Sequence, residues 1–362
     1  MKFGVTVVPR ISDWKLFVDL ETMGYDCAWA ADSQMLYSDA YATLALAAAN
    51  TSRIRLGTGV SVAGVRLAPV TAHSIASINQ LAPGRVFIGI GTGHTAMRVM
   101  GKDPVKAKAF REYLRVLRAL LHGEEVDYAL ADGEEKTDIR FLHADMGFID
   151  VARPVPIYVA ADGPLALKAA GAYGDGRVCS HNQTRARLQK SLETMQQGAS
   201  AVGRTLPEDF HTAALSYACV LRPGEKMTSD RVIDEIGPMA AATLHYWWEL
   251  YQKDGDTSTV SQRCLNLWDE YLAFTEKMEL PLERRYQQVH FGHCAFLPPE
   301  ERRFITEDLI RATGGLVGTP DEIVAGLRER EAMGLDEITL LPAMDAARRN
   351  LKDFADQVIA RY

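Results

Sequence analysis

Short apolar runs alternate with longer amphipathic stretches along most of this chain. The apolar runs are bounded by glycine, proline and small polar residues, as expected of strands buried on both faces of a parallel sheet. They predict strands at residues 3–8, 27–31, 54–60, 86–90, 157–161, 177–179, 213–221 and 337–341. The amphipathic stretches predict helices at residues 14–23, 39–49, 70–81, 105–121, 164–172, 185–202, 320–333 and 346–359.

Two of the predicted strands run into the same glycine-rich sequence. Residues 54–60 read IRLGTGV, and residues 85–93 read RVFIGIGTG. Glycine removes the side chain where the backbone must turn or where a ligand comes close. Because the carboxyl ends of parallel strands meet at one face, the repeat predicts that both strands deliver backbone to one shared site.

Eight predicted strands, each followed along the chain by a helix, predict a closed (β/α)₈ TIM barrel, which is an α/β fold. An open, doubly wound sheet is the alternative. However, the first strand is not followed by the Gly-x-Gly-x-x-Gly turn that is typical of dinucleotide-binding sheets. The predicted strand ends are rich in small and polar residues, and in a barrel these ends form the active face. The pattern therefore favours the barrel.

Residues 225–315 interrupt the alternation after the seventh strand. Connections between a strand and the next helix usually have about 2–6 residues, so this segment is a long insertion. Its aromatic residues, among them Trp247 and Trp248, recur at helical spacing, which predicts a mainly helical insertion that covers the barrel mouth. We therefore expect one domain over residues 1–362, with a small hairpin at residues 125–142.

Composition and charge argue against several classes of protein. Hydrophobic residues make up 47% of the 362 residues, and the net charge of −7 without a lysine- or arginine-rich run argues against a nucleic-acid partner. The five cysteines are scattered without a Cys-x-x-Cys pair, which argues against disulfides and predicts a reducing compartment. The sequence shows neither a signal-peptide layout nor an apolar run long enough for a bilayer, so we expect a cytoplasmic protein without a membrane partner.

Three motifs carry a family resemblance: SRIRLGTGV at residues 52–60, LAPGRVFIGIGTG at 81–93 and VPIYVAADGP at 155–164. Together they resemble the luciferase-like monooxygenases and F-420-dependent oxidoreductases, in particular the methylenetetrahydromethanopterin reductase type. The resemblance covers most of residues 1–222 and 314–362. It implies a barrel that binds coenzyme F-420 or FMN, acts on a small-molecule substrate and forms a homo-oligomer, a dimer.

The resemblance also assigns cofactor contacts to residues at the ends of three predicted strands. These residues are Gly59, Val60, Thr92, Ala161, Asp162 and Gly163, and we add Gly93 and His181 from their positions at the strand ends. In the family, the positions of Gly59 and Val60 form a bulge with a cis peptide behind the central ring of the flavin, and the position of Thr92 hydrogen-bonds the ring system. The turn at residues 161–163 approaches the phosphate arm, and His181 follows the next strand on the same side.

The end of the second strand departs from the family pattern. Many members carry Asp-His there, whereas this chain reads Asp32-Ser33-Gln34. No imidazole stands at this position to take a hydroxyl proton, which argues against alcohol oxidation and leaves hydride addition or oxygen chemistry. We expect Asp32, Ser33 and Gln34, together with His94 just past the fourth strand, to orient the substrate as the catalytic residues.

His290, His293 and Cys294 invite comparison with metal sites. The pattern His-x-x-His-Cys has no fourth ligand nearby in the sequence, so we expect no metal.

Three functions stay open at this point. The first is hydride transfer with F-420 on a small organic substrate, which the motifs favour. The second is a reduced-FMN monooxygenase that acts on an apolar or aromatic substrate and uses a separate flavin reductase. The aromatic insertion favours this second function, because oxygen chemistry at a flavin requires that water be excluded. The third is a non-catalytic flavin-binding barrel.

Overall fold

The computed structural model describes residues 1–131, 133–180 and 182–362. Its strands span Lys2–Val7 (β1), Cys27–Ala30 (β2), Arg55–Val62 (β3), Val86–Gly91 (β4), Val126–Tyr128 (β5), Thr137–Ile139 (β6), Ile157–Ala160 (β7), Gly176–Ser180 (β8), His211–Ser216 (β9), Ala218–Val220 (β10), Leu316–Gly318 (β11) and Glu337–Leu340 (β12). Eight of them close into a barrel in the order β1-β12-β9-β8-β7-β4-β3-β2.

The α-helices of the described residues alternate with the barrel strands or belong to the insertion. They span Leu16–Met23 (α1), Ala40–Asn50 (α2), Ala68–Leu81 (α3), His94–Arg98 (α4), Ala107–Leu121 (α5), Pro164–Tyr173 (α6), Arg185–Ser200 (α7), Asp230–Asp254 (α8), Leu265–Thr275 (α9), Tyr286–Val289 (α10), Glu307–Thr313 (α11), Pro320–Ala332 (α12) and Ala347–Gln357 (α13).

The predicted (β/α)₈ barrel is confirmed. Every neighbouring pair of barrel strands is parallel, and β1 pairs with both β2 and β12, which closes the sheet and rules out the open alternative. Each barrel strand therefore directs its carboxyl end to the same face, where the site is expected.

Side-chain caps fix where several helices begin. The Asp39 side chain accepts a hydrogen bond from Ala42 N (2.8 Å) at the start of α2. At α12, Thr319 and Glu322 form a reciprocal capping box, and a proline follows at the first helical position. These caps satisfy backbone N–H groups that the first helical turn leaves free, so local sequence sets the loop ends that surround the barrel mouth.

The predicted seventh strand, residues 213–221, is wrong in one respect, because the structure divides it at Tyr217. The first part is the barrel strand β9, and the second part is β10, which leaves the barrel and pairs with β11. The apolar run continues through both parts, so its pattern does not reveal the change of sheet. The five-residue helix α4 was not predicted, since periodicity cannot be recognised over so short a segment.

Aromatic side chains fill the interior of the barrel below its mouth. Trp29, Phe87 and Tyr158 are buried, with ring centroids between 4.4 and 5.7 Å apart. Glu337 accepts a hydrogen bond from Trp29 Nε1 (2.7 Å), and its other oxygen lies 2.9 Å from His211 Nε2. The barrel is therefore a packed core, and a ligand has room only at its end.

The insertion has a hydrophobic core of its own and contacts loops at the carboxyl ends of barrel strands. Its buried residues include Val232, Ile236, Leu244, Trp247, Trp248, Trp268, Tyr271, Phe304 and Leu309. Tyr37 OH, in the loop after β2, donates to the carbonyl of His293 (2.6 Å). After β12, Met344 N donates to the carbonyl of Ala295 (2.9 Å). These contacts place part of the insertion against the loops of the barrel mouth.

Two smaller features complete the fold. β5 and β6 form an antiparallel hairpin within the segment predicted at residues 125–142, and Asp132 lies outside the described residues. None of the helices in the described ranges has the length and apolar character that crossing a membrane requires.

Candidate active site at the barrel mouth

β3 and β4 end in an irregular segment at the mouth. The Gly59–Val60 peptide is cis, and the pairing of the two strands shifts register around it. The expected bulge with a cis peptide is confirmed, while its contact with a cofactor stays a prediction. A Cβ on Gly91 would lie only 3.1 Å from both Val60 Cγ2 and Ala160 Cβ, so glycine allows the ends of β3, β4 and β7 to pack closely here.

Asp32, just past β2, is buried and held by three side chains. Its Oδ2 accepts hydrogen bonds from Ser61 Oγ (3.1 Å) and Arg66 Nη1 (2.9 Å), and its Oδ1 accepts one from Gln34 Nε2 (2.7 Å). Burial raises the pKa of Asp32, and the charge of Arg66 and the hydroxyl of Ser61 oppose this rise. Contacts from β3 and the loop after it therefore fix the position of the carboxylate.

Ser33 and Gln34 carry polar atoms without a partner among the described residues. Ser33 Oγ and Gln34 Oε1 are buried, and neither forms a hydrogen bond there. A buried polar group that stays unpaired costs about 1–3 kcal/mol, so such atoms are the ones expected to contact a ligand. The triplet after β2 thus combines one fixed carboxylate with two available hydrogen-bonding groups.

Thr92, Gly93 and His94 follow β4 at the same end of the barrel. Thr92 is half-buried. Gly93 has a φ of +82°, and a Cβ there would lie 2.4 Å from Val62 Cγ1, so both conformation and space require glycine. His94 begins α4 with its side chain 54% exposed, and its Nδ1 lies 3.9 Å from Oε2 of Glu249, a residue of the insertion.

The turn after β7 lies beside the start of α7. Ala161 is buried, whereas Asp162 and Gly163 are exposed. Asp162 Oδ2 accepts a hydrogen bond from Ser180 N (3.1 Å), and its Oδ1 lies 3.7 Å from Arg187 Nη2. Gly163 is the N-cap of α6, and a Cβ there would meet open space. The first turns of α6 and α7 are therefore connected through Asp162.

Arg177 on β8 is a buried cation that the sequence analysis did not single out. Its Nη2 donates to Gln183 Oε1 (3.2 Å), while Nε and Nη1 are buried without a partner in the described part of the chain. Gln183 lies just before α7, and helix N-termini favour negative charge. His181, also expected here, lies outside the described residues. The buried guanidinium and the nearby helix starts suit an anionic group.

Glu249 on α8 brings a buried carboxylate from the insertion to α4, the short helix after β4. Its Oε1 lies 2.6 Å from His290 Nε2, and its Oε2 lies 3.2 Å from Arg98 Nε. Burial acts to raise the pKa of Glu249, but the hydrogen bond with His290, the nearby His94 and the charge of Arg98 outweigh it and lower the pKa to about 2. Burial lowers the pKa of His290, and the hydrogen bond with Glu249 opposes this shift.

Three histidines of the insertion lie close together. His290 Nδ1 is 3.2 Å from His293 Nδ1, and ring nitrogens of His245, His290 and His293 lie within 4.8 Å of one another. The expectation of no metal rested on the lack of a further ligand near His290 and His293 in the sequence. That reason does not hold in the fold, because His245 joins them. The thiol of Cys294 lies 3.8 Å from Met239 Sδ.

Trp247 and Trp248 lie in the core of the insertion. Both are buried, and Trp247 packs edge-on against Trp268 with ring centroids 6.2 Å apart. Tyr246, by contrast, is 42% exposed, and its ring lies 5.8 Å from that of His94. Tyr246 is thus the aromatic side chain of α8 that reaches the residues after β4.

The structure brings the expected catalytic residues together only in part. Asp32, Ser33 and Gln34 form one group after β2, whereas His94 lies after β4 and contacts the insertion. The charged and ionisable residues that surround them were not predicted from the sequence, namely Arg66, Arg98, Arg177, His245 and Glu249. These residues form no motif, and only the position of Arg66 shortly after a predicted strand end was a signal that could have identified one of them.

A surface cleft of about 570 Å³ lies away from this site. Its lining includes residues of the last turns of α5 and Tyr173 at the end of α6. Helices of a barrel end near the amino ends of the next strands, so the cleft belongs to the face opposite the mouth.

Comparisons with known proteins agree with the fold and the motifs. A family model described as luciferase-like monooxygenase matches residues 14–337. A 5,10-methylenetetrahydromethanopterin reductase from Archaeoglobus fulgidus is 30% identical over 343 residues, which are 93% of this chain and 92% of that protein. A reductase of the same name from Methanolobus tindarius is 34% identical over 60% of this chain and 65% of its own length.

F-420-dependent enzymes also occur among the relatives. An F-420-dependent glucose-6-phosphate dehydrogenase from Kineococcus radiotolerans is 35% identical over 59% of this chain and 66% of its own length. This match and the one to the Methanolobus reductase thus span just under two thirds of each relative. A coenzyme F-420-dependent tetrahydromethanopterin reductase structure from Methanopyrus kandleri has a TM-score of 0.67 at 20% identity, covering 100% of this chain and 99% of that one. The structural likeness supports the fold alone.

Proposed function

Because the chain belongs to the luciferase-like monooxygenase family, we propose that it is an oxidoreductase that transfers a hydride between coenzyme F-420 and a small organic substrate. One observation carries this proposal: relatives at 33–35% identity are named as F-420-dependent dehydrogenases. The substrates in their names belong to those proteins. For this chain we propose only an unsaturated small molecule that accepts a hydride.

The mouth has features that fit the ring system of such a cofactor. Bound F-420 supplies the ring carbon that accepts or gives up the hydride. We assign the back of the ring to Gly59 and Val60, and a hydrogen bond at its edge to Thr92, with Gly93 giving close approach of the backbone. The close packing of Val60 and Ala160 around Gly91, which fixes the backbone at the ends of β3, β4 and β7, supports this assignment.

The anionic arm of the cofactor is assigned to the starts of α6 and α7. Ala161, Asp162, Gly163 and His181 are the contacts proposed from the sequence. Arg177 adds a reason from the structure, since its buried Nε and Nη1 have no partner in the described ranges and suit a phosphate oxygen. Asp162 is proposed to order the loop through Ser180 N rather than to touch the phosphate, because two negative groups repel each other.

The substrate is proposed to bind between the β2 triplet and His94. Asp32 is held in position by Arg66. Ser33 Oγ and Gln34 Oε1 are available for hydrogen bonds to the substrate. When a hydride adds to a double bond between carbon and a heteroatom, the heteroatom takes a proton. We assign this proton to His94, which is exposed at the mouth with Glu249 near it.

A second candidate function is a reduced-FMN monooxygenase. The observation that favours it is the insertion, whose Tyr246 and Glu249 lie over the residues after β4 and would limit the entry of water. This function adds a separate flavin reductase as a partner. In both cases we propose a single domain in which residues 225–315 act as a cover for the mouth.

The decisive experiment is anaerobic turnover. The purified protein is mixed with reduced F-420 and a panel of small aldehydes, ketones, enones and imines, and oxidation of F-420 is followed by its absorbance. Turnover without oxygen supports hydride transfer. Turnover only with reduced FMN and oxygen supports the monooxygenase, and binding of either cofactor without turnover on the panel supports the non-catalytic barrel.

A variant at Thr92 tests the proposed position of the cofactor by its effect on F-420 binding. Thr92→Val is expected to weaken F-420 binding by about 1–3 kcal/mol, because the polar atom on the ring loses its partner. Thr22→Val, at an exposed position of α1, is the matched control and is expected to bind F-420 as the wild type does. Equal affinity of the Thr92 variant and the control would contradict the proposed placement of the ring.

Two further proposals concern the cellular location and the oligomeric state of the protein. All five cysteines are free and buried, which supports the proposed cytoplasmic, reducing location. A dimer is proposed from the family resemblance, and the molar mass from sedimentation equilibrium tests it.

A further inference from the structure

One group of side chains in the insertion has no role in the proposed hydride transfer. His245 on α8 and His290 and His293 just past α10 have ring nitrogens within 4.8 Å of one another. His245 and His290 are buried, and His293 is half-buried. We propose that these three imidazoles bind a divalent transition-metal ion, zinc by preference, because neutral imidazole nitrogen is a typical ligand of such ions.

The spacing of the nitrogens supports a shared ion. Two nitrogens that bind one zinc tetrahedrally at about 2.0–2.1 Å lie about 3.3 Å apart, and His290 Nδ1 and His293 Nδ1 are 3.2 Å apart. A hydrogen bond between these two rings accounts for the same distance. It does not account for His245, whose Nδ1 is buried without a partner among the described residues. An ion satisfies all three rings at once.

Buried carboxylates hold the opposite edges of two of these rings. His290 Nε2 lies 2.6 Å from Glu249 Oε1, and His245 Nε2 lies 3.1 and 3.2 Å from the two oxygens of Glu301. When Nε2–H donates to a carboxylate, Nδ1 keeps its lone pair. Metal-binding histidines commonly have such a carboxylate on the other nitrogen, which sets the tautomer and strengthens the ligand.

The charges of the cluster also call for a cation. Arg98 lies beside Glu249, but no lysine or arginine of the described residues forms an ion pair with Glu301. Glu301 is 3% exposed, and Tyr271 OH is its other hydrogen-bond donor (3.1 Å). A buried carboxylate without a compensating charge is costly, and a divalent ion on His245 supplies that charge.

The site is placed where it affects the mouth. Tyr37 OH, from the loop after β2, donates to the carbonyl of His293, and Glu249 contacts α4 through Arg98. Three protein ligands leave one position of a tetrahedral ion for water or another small oxygen donor. The half-buried side of His293 is the route by which the ion and this fourth ligand enter.

Metal content of the protein tests the proposal directly. Tag-free protein is expressed with added zinc, desalted and analysed by mass spectrometry for metals, with about one zinc per chain expected. His245→Ala and His290→Ala are expected to lose it. His73→Ala removes an exposed imidazole on α3 and is the matched control, which is expected to keep the metal. Equal zinc in the His290 variant and the control would overturn the proposal.

A second set of measurements keeps the test valid if an alanine variant folds poorly. Glu301→Gln keeps every ligand but removes the outer charge, and it is expected to weaken zinc binding about 10–100-fold. Cobalt added to chelator-treated wild type is expected to give the visible bands of four-coordinate cobalt. A chelator-treated protein that neither binds cobalt in this way nor gains thermal stability from zinc would contradict the site. None of these readouts depends on F-420 or on turnover.

Discussion

Asp32 gains most of its environment only on folding, because Ser61 and Arg66, two of the three side chains that hold it, come from β3 and the loop that follows. The side chain of Asp32 is 3% exposed, and that of Arg66 is 17% exposed. Arg66 also pairs with Asp39, the N-cap of α2, so one guanidinium connects two acids. Breaking a buried ion pair from one side leaves a charge without compensation, which usually costs more than the pair itself contributes.

Replacement of Arg66 by methionine tests this arrangement. We expect Arg66→Met to lower the free energy of unfolding at pH 8 by about 3 kcal/mol, since Asp32 stays buried and charged. The double variant Asp32→Asn/Arg66→Met should recover part of this loss. Urea unfolding measures both values, and Arg348→Met, which breaks a more exposed ion pair with Asp13, is the control with an expected loss below about 1 kcal/mol.

The same variant has a defined pH dependence. Burial already raises the pKa of Asp32, and removal of Arg66 takes away a group that opposes the rise. A carboxyl whose pKa is higher in the folded than in the unfolded state costs nothing below its unfolded pKa, and the cost grows as the pH rises through the folded pKa. The loss of stability should therefore be smaller at pH 5 than at pH 8. An equal loss at both values would show that charge on Asp32 is not its cause.

Residues within a family motif could be predicted from the sequence, whereas residues that depend on tertiary contacts could not. The Gly59–Val60 cis peptide was expected from the motif at residues 52–60. Glu249 and His245 could not be found in this way, because single ionisable residues in a helix usually face solvent. Their partners, such as His290, lie far along the chain and come into contact with them only when the insertion packs.

The elements differ in how far their sequence determines them. The barrel strands were predicted closely, because each is a short apolar run with a glycine or polar residue at its end. Tyr217 shows the limit of this pattern: an apolar run continues across it while the chain passes from β9 in the barrel to β10 outside it. Hydrophobicity indicates burial, and both sheets are buried. The passage of the chain from one sheet to the other therefore leaves no signal in the hydrophobic pattern.

Helix α8 contacts the core of the insertion with some residues and the barrel mouth with others. Trp247 and Trp248 are buried in the insertion, while Tyr246 faces His94. A tryptophan pair at helical spacing is more often part of a core than the wall of a binding site, and both tryptophans lie in the core here, whereas Tyr246 lies beside His94. The reason is rotational, since successive residues of a helix are about 100° apart.

Removal of the Tyr246 ring should therefore affect the mouth and not the fold. Tyr246→Ala is expected to raise the KM of whichever substrate the anaerobic panel identifies by about threefold to tenfold, the value of one aromatic contact. Tyr251→Ala is the matched control, because Tyr251 is similarly exposed on α8 but packs against Trp268. An increase in KM of the same size in both variants would show that α8 acts through its packing alone.

The molecule as a whole has separate hydrophobic cores for the barrel and for the insertion. Glu235 on α8 is 1% exposed and connects them through side chains of α13. It accepts hydrogen bonds from Arg349 Nε (2.8 Å) and Asn350 Nδ2 (2.9 Å), and from Arg231 Nη1 (3.0 Å) of its own helix. The sequence predicted an insertion at residues 225–315, but nothing in it indicated which residue connects it to the barrel.

Glu235→Gln should weaken this connection while keeping the volume of the side chain. We expect the free energy of unfolding to fall by about 1–3 kcal/mol, because Arg231 and Arg349 lose their charged acceptor. We also expect the insertion to unfold before the barrel, so that limited proteolysis in urea cuts within residues 225–315 while barrel fragments persist. Glu225→Gln is the control, since Glu225 pairs with Arg231 and, among the described residues, forms no ion pair with α13. A single transition at the wild-type midpoint in Glu235→Gln, or early cleavage in the control, would contradict the role of Glu235, because the cores would then be coupled through other contacts.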